Sequence, residues 1–219
     1  RLSRTERVTQ RMIEHFRVTL TGTRSGLDVL PGFHWCLAPD AVEPQEFGRD
    51  GHPRTGLFLP ALPLPRRMWA GGEVRWLGNL ALGEEVVRVS TIRDVVFKQG
   101  RSGPLGFVTV DHDYLVDGEM RIADRQDIVY REDPKPGAQA LPAAGEPWQV
   151  LRSWTLTPTS TLLFRYSSLT FNGHRIHYDH PYATGVEGYD GLVVHGPLQS
   201  TWMQNLATEI FGRLPASFA

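Results

Sequence analysis

Val108-Thr109-Val110-Asp111-His112-Asp113-Tyr114-Leu115-Val116-Asp117-Gly118-Glu119-Met120 carries the reading of the fold. Val108, Val110, His112 and Tyr114 fall on one face of an extended chain, because successive side chains in a strand point to opposite sides. Asp117-Gly118 is a strong hairpin signal, since a tight two-residue turn needs residues that tolerate positive φ. Met120 to Tyr130 is then the returning strand. Upstream, Val87, Val89 and Thr91 alternate with charged or polar positions, and Lys98-Gln99-Gly100-Arg101-Ser102-Gly103-Pro104 makes the turn between those two strands. The segment from about Glu73 to Glu132 therefore reads as an antiparallel meander.

Ahead of it lies a helical pattern. Ser3 and Glu6 resemble a capping box, and Val8, Met12, Phe16 and Leu20 recur at helical spacing, which predicts a helix over residues 4–20 ended by Thr21-Gly22-Thr23. Helix plus meander is an α+β unit. Residues 31–72 hold Pro31, Pro39, Pro44, Pro53, Pro60, Pro63 and Pro65, which blocks helix interiors and central strands and predicts a long irregular segment. Loops of that length inside a compact domain are often functional.

The chain divides into three parts. Residues 1–132 form the first unit. Residues 133–148, rich in Pro, Ala and Gly, read as a linker. Residues 149–219 form a second unit, with a strand over 155–166 (Leu162, Phe164 and Tyr166 alternating) and a helix over 197–213. In that helix Leu198, Trp202, Leu206 and Ile210 lie four apart, with Pro197 in the first turn. One strand cannot cover the apolar face of such a helix, so the second unit reads as incomplete at its C-terminal end or as covered by a partner.

Composition excludes several classes. The 219 residues are 41% hydrophobic, enough for a core, and the net charge is −1. A near-neutral chain offers no broad basic field for nucleic acid or an anionic membrane. The single cysteine, Cys36, rules out an intramolecular disulfide framework and a multi-cysteine zinc site. Its apolar neighbours Phe33 to Leu37 mark it as a buried thiol. No apolar run approaches the roughly 20 residues needed to span a bilayer, and the N-terminus lacks a signal-peptide core, so a cytoplasmic location is expected. Glycine-rich nucleotide loops and the Gly-x-Ser-x-Gly elbow are absent.

The chemistry concentrates in Leu169-Thr170-Phe171-Asn172-Gly173-His174-Arg175-Ile176-His177-Tyr178-Asp179 and in Val194-His195-Gly196-Pro197. An amide, imidazoles and a carboxylate beside a helix N-terminus suit addition of water to a 2-enoyl thioester. That reaction needs a base for the water, an acid for the α carbon and fixed donors at the thioester oxygen. Histidine titrates near neutrality, which makes His177 the candidate base. Asn172 orients the water but cannot ionise. The backbone N–H of Gly196, at a helix start, is the candidate oxyanion donor. Each also has a plain structural role open to it: His177 or His195 as a cap, His174 as loop support, Asp179 as a helix cap. Ligation of a metal by His174, His177 and Asp179 is disfavoured, because no further ligand stands at standard spacing. Arg66, Arg67 and Arg101, with Lys98, sit near loops where guanidinium groups suit carrier phosphates; surface charge is the alternative.

These motifs, with Gly191-Leu192-Val193-Val194-His195-Gly196-Pro197-Leu198-Gln199, Asp50-Gly51-His52-Pro53-Arg54-Thr55-Gly56, Pro65-Arg66-Arg67-Met68-Trp69-Ala70-Gly71 and Lys98-Gln99-Gly100-Arg101-Ser102-Gly103, resemble the MaoC-like hydratase/dehydratase superfamily. The likeness is to its branch of mesaconyl-CoA hydratase and type 2 hydroxyacyl-thioester dehydratases. It implies a double hotdog, two antiparallel sheets each wrapping a long helix, with the second truncated. The first half would bind the thioester carrier and the second would hold the hydratase motif. It also places the catalytic histidine on His177, the oxyanion glycine on Gly196, and the superfamily's catalytic aspartate on Asn172, so the carboxylate does not carry over. The implied activity is reversible hydration of an enoyl-CoA, needing no metal or redox cofactor. The implied substrate is an acyl-CoA, with mesaconyl-CoA the leading instance, and copies of the chain are expected to associate as a homo-oligomer. A hotdog thioesterase and a non-catalytic acyl-thioester-binding subunit are the alternatives.

Overall fold

The computed structural model describes residues 1–27, 29–100, 103–133 and 149–219. Among them one antiparallel sheet organises the molecule. Its strands are β1 (Leu2–Arg7), β2 (Arg66–Trp76), β3 (Glu85–Gly100), β4 (Gly103–Val116), β5 (Glu119–Arg131) and β6 (Ser217–Phe218), in the spatial order β1-β3-β4-β5-β2-β6. The hairpin reading holds. Asp117 and Gly118 both take positive φ, at 51° and 80°, and Val116 faces Glu119 across the turn. On β4 the alternation is complete, with Val108, Val110, His112, Tyr114 and Val116 all buried.

Helices α1 (Gln10–Thr19), α2 (Ser160–Thr170) and α4 (Gly196–Phe211) share a core with the sheet, while α3 (His180–Gly185) is one short turn beside the site. Phe16 and Leu20 of α1, Leu163 and Tyr166 of α2, and Leu198 and Trp202 of α4 meet Tyr114, Val116 and Ile122 of the sheet in one buried cluster. The helical turn Phe33–Cys36 plugs the same core. Cys36 is buried, and burial pushes its thiol well above the ordinary range, as befits a packing residue. The proline-rich segment is irregular as expected up to Pro65. Phe58, Leu59 and Leu62 in it pack on Val108, Val110 and Tyr130 at the other end of the sheet.

Three expectations need correction. The helix predicted over 4–20 is two elements. Residues 2–7 pair with β3 from Leu2–Ser90 to Arg7–Glu85, and the helix starts only after Thr9, whose hydroxyl accepts from Met12 N at 3.3 Å. Glu6, read as half of a capping box, instead accepts the Ala38 amide at 2.5 Å. Backbone pairing to a long strand outweighs a weak local helix preference. The strand predicted over 155–166 is helical from Ser160, capped by Thr159. The alternation of Leu162, Phe164 and Tyr166 is incidental there, since the buried residues are Leu163, Tyr166 and Ser167, one helical face, and Phe164 is exposed. Finally, the meander begins earlier than residue 73, because β2 starts at Arg66 and passes Trp69–Gly71 through a register shift.

The helix predicted over 197–213 is α4, ended by Gly212 in the left-handed region. Residues 149–219 add helices and the two-residue β6 to the edge of the single sheet, and no second sheet occurs among the described residues. The predicted linker lies almost entirely outside the described residues. No helix among those residues is long and apolar enough to cross a membrane.

Phe16 is fully buried and meets Phe33 edge-on, with ring centroids 5.4 Å apart. Phe16→Ala is expected to lower the unfolding free energy by about 3–5 kcal/mol. Phe164→Ala, on the exposed side of α2, is expected to cost under about 1 kcal/mol. Denaturant titration of both variants measures the contrast; equal losses would contradict the helical phase of α2.

Candidate active site

Five segments meet at one end of the α2 and α4 helices. The first is the loop after Phe47, where Asp50, Gly51 and His52 turn back on Gly48, whose amide donates to the His52 carbonyl at 2.7 Å. The second is Arg66, Arg67 and Trp69 at the start of β2. The third is the segment Asn172–Tyr178 after α2. The fourth is α3 with Glu187, and the fifth is Val193–Gly196 leading into α4.

The first and third segments touch backbone to backbone. Arg175 N donates to Asp50 O at 2.8 Å. A Cβ on Gly51 would sit 2.1 Å from Gly173 O, and one on Gly173 would sit 2.6 Å from Gly51 O. Gly51 also has φ +86°, so two independent demands select glycine there. Arg67 holds the loop from below: its guanidinium donates to both oxygens of Asp50, at 3.0 and 3.3 Å, and to Pro53 O at 2.6 Å.

Four imidazoles then form a row. The rings of His52 and His174 lie 4.4 Å apart, those of His174 and His177 5.4 Å apart, and those of His177 and His195 are stacked at 3.6 Å with 20° between planes. His177 Nδ1 lies 2.7 Å from Val193 O. A carbonyl only accepts, so Nδ1 carries the proton and Nε2 keeps its lone pair. His195 Nε2 lies 2.8 Å from Ser167 Oγ on α2, while its Nδ1 is buried without a hydrogen-bond partner. Burial depresses all three inner histidines, His177 to about 4 and His174 and His195 to about 2, with neighbouring imidazoles reinforcing the shift. His177 is thus a neutral base at ordinary pH.

Asn172 turns the loop, its side-chain oxygen accepting from His174 N at 2.8 Å. Gly196 opens α4, and its amide, at a first-turn position, has no acceptor within the helix. A Cβ there would sit 2.2 Å from the Trp69 ring, so close packing with β2 selects this glycine. His177 therefore sits beside the residue that precedes Gly196, and Asn172 is tied to the row through His174. Asp179 takes the capping role: it accepts from Tyr182 N and pairs with Arg175.

Arg66 and Arg67 are both buried in internal ion pairs, with Glu187 and Asp50 respectively. Arg101 lies outside the described residues. Asp50, His52 and His174 present possible ligand atoms within 4.8 Å of one another. Both oxygens of Asp50 are already engaged by Arg67 and His52, however, so a cation there would compete with a guanidinium. A cavity of about 480 Å³, lined by Trp154, Leu156, Val193, Val194, Trp202 and Met203 among others, shares Val193 and Val194 with the loop that sets His177. Sequence reasoning did not single out Ser167, Glu187, or Asp50 with His52 as site residues. The last pair left a signal, a carboxylate two positions before a histidine in a proline-rich loop.

The fold is that of the MaoC-like hotdog proteins. HtdX of Mycobacterium tuberculosis aligns over 100% of this chain and 84% of its own with a TM-score of 0.64 at 13% identity, a likeness of fold. The family model described as hydroxyacyl-thioester dehydratase type 2 matches residues 32–219, and the chain belongs to that family. It is 44% identical over 177 residues to the mesaconyl-C(4)-CoA hydratase of Chloroflexus aurantiacus, covering 81% of this chain and 63% of that protein. It is also 44% identical over 210 residues to the mitochondrial hydroxyacyl-thioester dehydratase type 2 of Schizosaccharomyces pombe, covering 84% and 68%. The chain thus spans a little under two thirds of the Chloroflexus relative.

Buried neutral histidines make stability depend on pH. His34 and His112, each lowered to about 3 by burial, join the three above. Each titrates near 6.5 when unfolded, so below that pH the unfolded chain binds the extra proton and stability falls as pH falls. Asp124 acts oppositely: burial raises it to about 6, so its contribution is lost as pH rises through that value. The histidines outnumber it. The unfolding free energy is expected to drop between pH 6.5 and 5 by about 1.4 kcal/mol per pH unit for each net proton taken up. Urea titrations across that range measure the slope, and a flat profile would contradict the neutral cluster.

Proposed function

We propose that this protein catalyses the reversible hydration of a 2-enoyl thioester, with a mesaconyl-CoA-type acyl-CoA as the leading substrate. The observation that carries the reading is His177: buried, neutral, its Nδ1 held by Val193 O and its Nε2 lone pair left for a water proton. Membership of the hydroxyacyl-thioester dehydratase family and the name of the Chloroflexus relative supply the substrate class. In this reading residues 149–219 correspond to the hydratase-bearing half of a double hotdog. Asn172 sets the loop that presents the base, and the amide of Gly196 faces the thioester oxygen as charge develops there. Arg67 serves the carrier side by fixing the Asp50 loop, and Arg66 by fixing Glu187 against Tyr182. Arg101 remains the arginine proposed to meet carrier phosphate.

The chemistry needs the base neutral before water is activated and the enolate stabilised by fixed dipoles rather than by bulk water. Burial supplies both, because it keeps the imidazole uncharged and strengthens each dipole it leaves in place.

The test is a panel of enoyl-CoA thioesters, followed by loss of enoyl absorbance with thiol release measured in parallel. Loss of absorbance without free thiol supports hydration, and free thiol would support a thioesterase instead. His177→Ala is expected to lower kcat by at least about 10²-fold. The acid limb of kcat/KM is expected near pH 4, because the rate falls only as His177 takes a proton. A variant with wild-type kcat would remove His177 from the role.

A further inference from the structure

We propose that Asp50 and His52 form a catalytic dyad beside His177, with His52 the general acid that delivers the α proton. The proposal deepens the hydratase reading and rests on it. The reaction moves two protons, and a single buried neutral imidazole accounts for the first. The second position is unfilled by the motif itself, since an asparagine stands at 172 and an amide cannot ionise.

The neighbouring carboxylates are committed elsewhere. Asp179 caps α3 and pairs with Arg175. Glu187 is engaged by Arg66 and by the Tyr182 hydroxyl. Asp50 alone lies against an imidazole of the row: its Oδ2 is 3.3 Å from His52 Nδ1, and its Oδ1 accepts from His52 N at 3.1 Å. Burial pushes the Asp50 carboxyl up, yet His52 and Arg67 together hold it below the usual range, so it is an anion. A carboxylate on Nδ1 fixes the ring and leaves Nε2 as the ring nitrogen that Asp50 does not engage. His52 is also the outermost of the four imidazoles, with its side chain 29% exposed, whereas His174, His177 and His195 are buried.

Its place beside the base is fixed by the fold. The contact of Gly51 with Gly173 and the bond from Arg175 N to Asp50 O clamp the two loops together. The His52 ring lies tilted at 41° against His174, 4.4 Å between centroids, and its nearness adds to the lowering of His177 and His195. The groups facing it are Asp50 on its own loop, Arg67 from β2 through Asp50, His174 and His177 from the segment after α2, and His195 at the start of α4.

The step balances. An O–H bond of water breaks, its proton passes to His177 Nε2, and the oxygen bonds to the β carbon. The π electrons move toward the carbonyl as an enolate, with charge on the thioester oxygen. The proposed step requires His52 to enter with protons on both ring nitrogens; it gives the Nε2 proton to the α carbon and keeps the Nδ1 proton on Asp50. His177 then returns one proton to solvent and His52 takes one up, with no oxidation or reduction.

Three variants test the dyad on the full chain with the best enoyl-CoA of the panel. His52→Gln is expected to lower kcat by roughly 10²-fold with KM within about threefold. Asp50→Asn, which removes the carboxylate from His52 Nδ1, is expected to lower kcat in the same direction with KM little changed. His52→Gly with added imidazole is expected to recover at least about tenfold of the lost rate, a gain that a merely structural role for the ring would not give. Retention of wild-type kcat by His52→Gln or by Asp50→Asn, or absence of rescue by imidazole, overturns the dyad and leaves the hydratase reading intact. A wild-type chain that hydrates none of the thioesters overturns both.

Discussion

The site depends on one backbone contact, that of Gly51 with Gly173. Each residue places its carbonyl where the other's Cβ would stand, and the Arg175 amide closes the junction on Asp50. Through that junction a proline-rich loop from the first half of the chain is registered against the histidine-bearing loop of the second. Side-chain packing alone tolerates shifts of the order of a methyl group, whereas backbone at hydrogen-bond distance does not. The positions of His52 and His174 relative to one another are consequently set by main chain, and His177 follows three residues later on a single helical turn.

Electrostatics divides the region into two zones. The inner zone holds three buried imidazoles, stacked or edge-on, and burial keeps them uncharged. Charging one would put a cation against a neighbouring ring in a poorly solvated space. The outer zone holds full charges in matched pairs, Arg67 with Asp50 and Arg66 with Glu187. Removing one partner of such a buried pair leaves an uncompensated charge and costs about 3–5 kcal/mol. These pairs therefore act as struts, each joining β2 to a loop that borders the histidine row. A neutral interior framed by fixed ion pairs is a setting in which a base stays free and small dipoles act strongly.

The sheet was legible where the pattern was local. Val108 to Val116 alternate without a break because one face of β4 is wholly buried, and Asp117-Gly118 is the turn its chemistry implies. The N-terminal strand was not legible. Residues 2–7 carry no strong strand signal, and their conformation comes from β3, 78 to 88 positions downstream. The start of α2 was misread for a related reason: three apolar residues at even spacing fit a strand, and only the packing of Leu163 and Tyr166 against α1 and α4 separates the two periods.

The same division governs the site. Asn172, His177 and Gly196 fall within twenty-five positions of one another, and their chemistry can be named from neighbours in the chain. What surrounds them comes from farther away. Ser167 is fixed to His195 by the docking of α2 on α4, and Asp50 and His52 arrive from more than a hundred residues upstream through the glycine contact. Spacing in a sequence records only the constraints that the chain satisfies locally. The arginines illustrate the converse. From sequence, Arg66 and Arg67 beside a tryptophan suit carrier phosphate or surface charge; the counter-charges they meet in the fold, Glu187 and Asp50, lie 121 positions downstream and 17 upstream. A cation whose partner is distant in sequence and near in space looks unpaired until the topology is known.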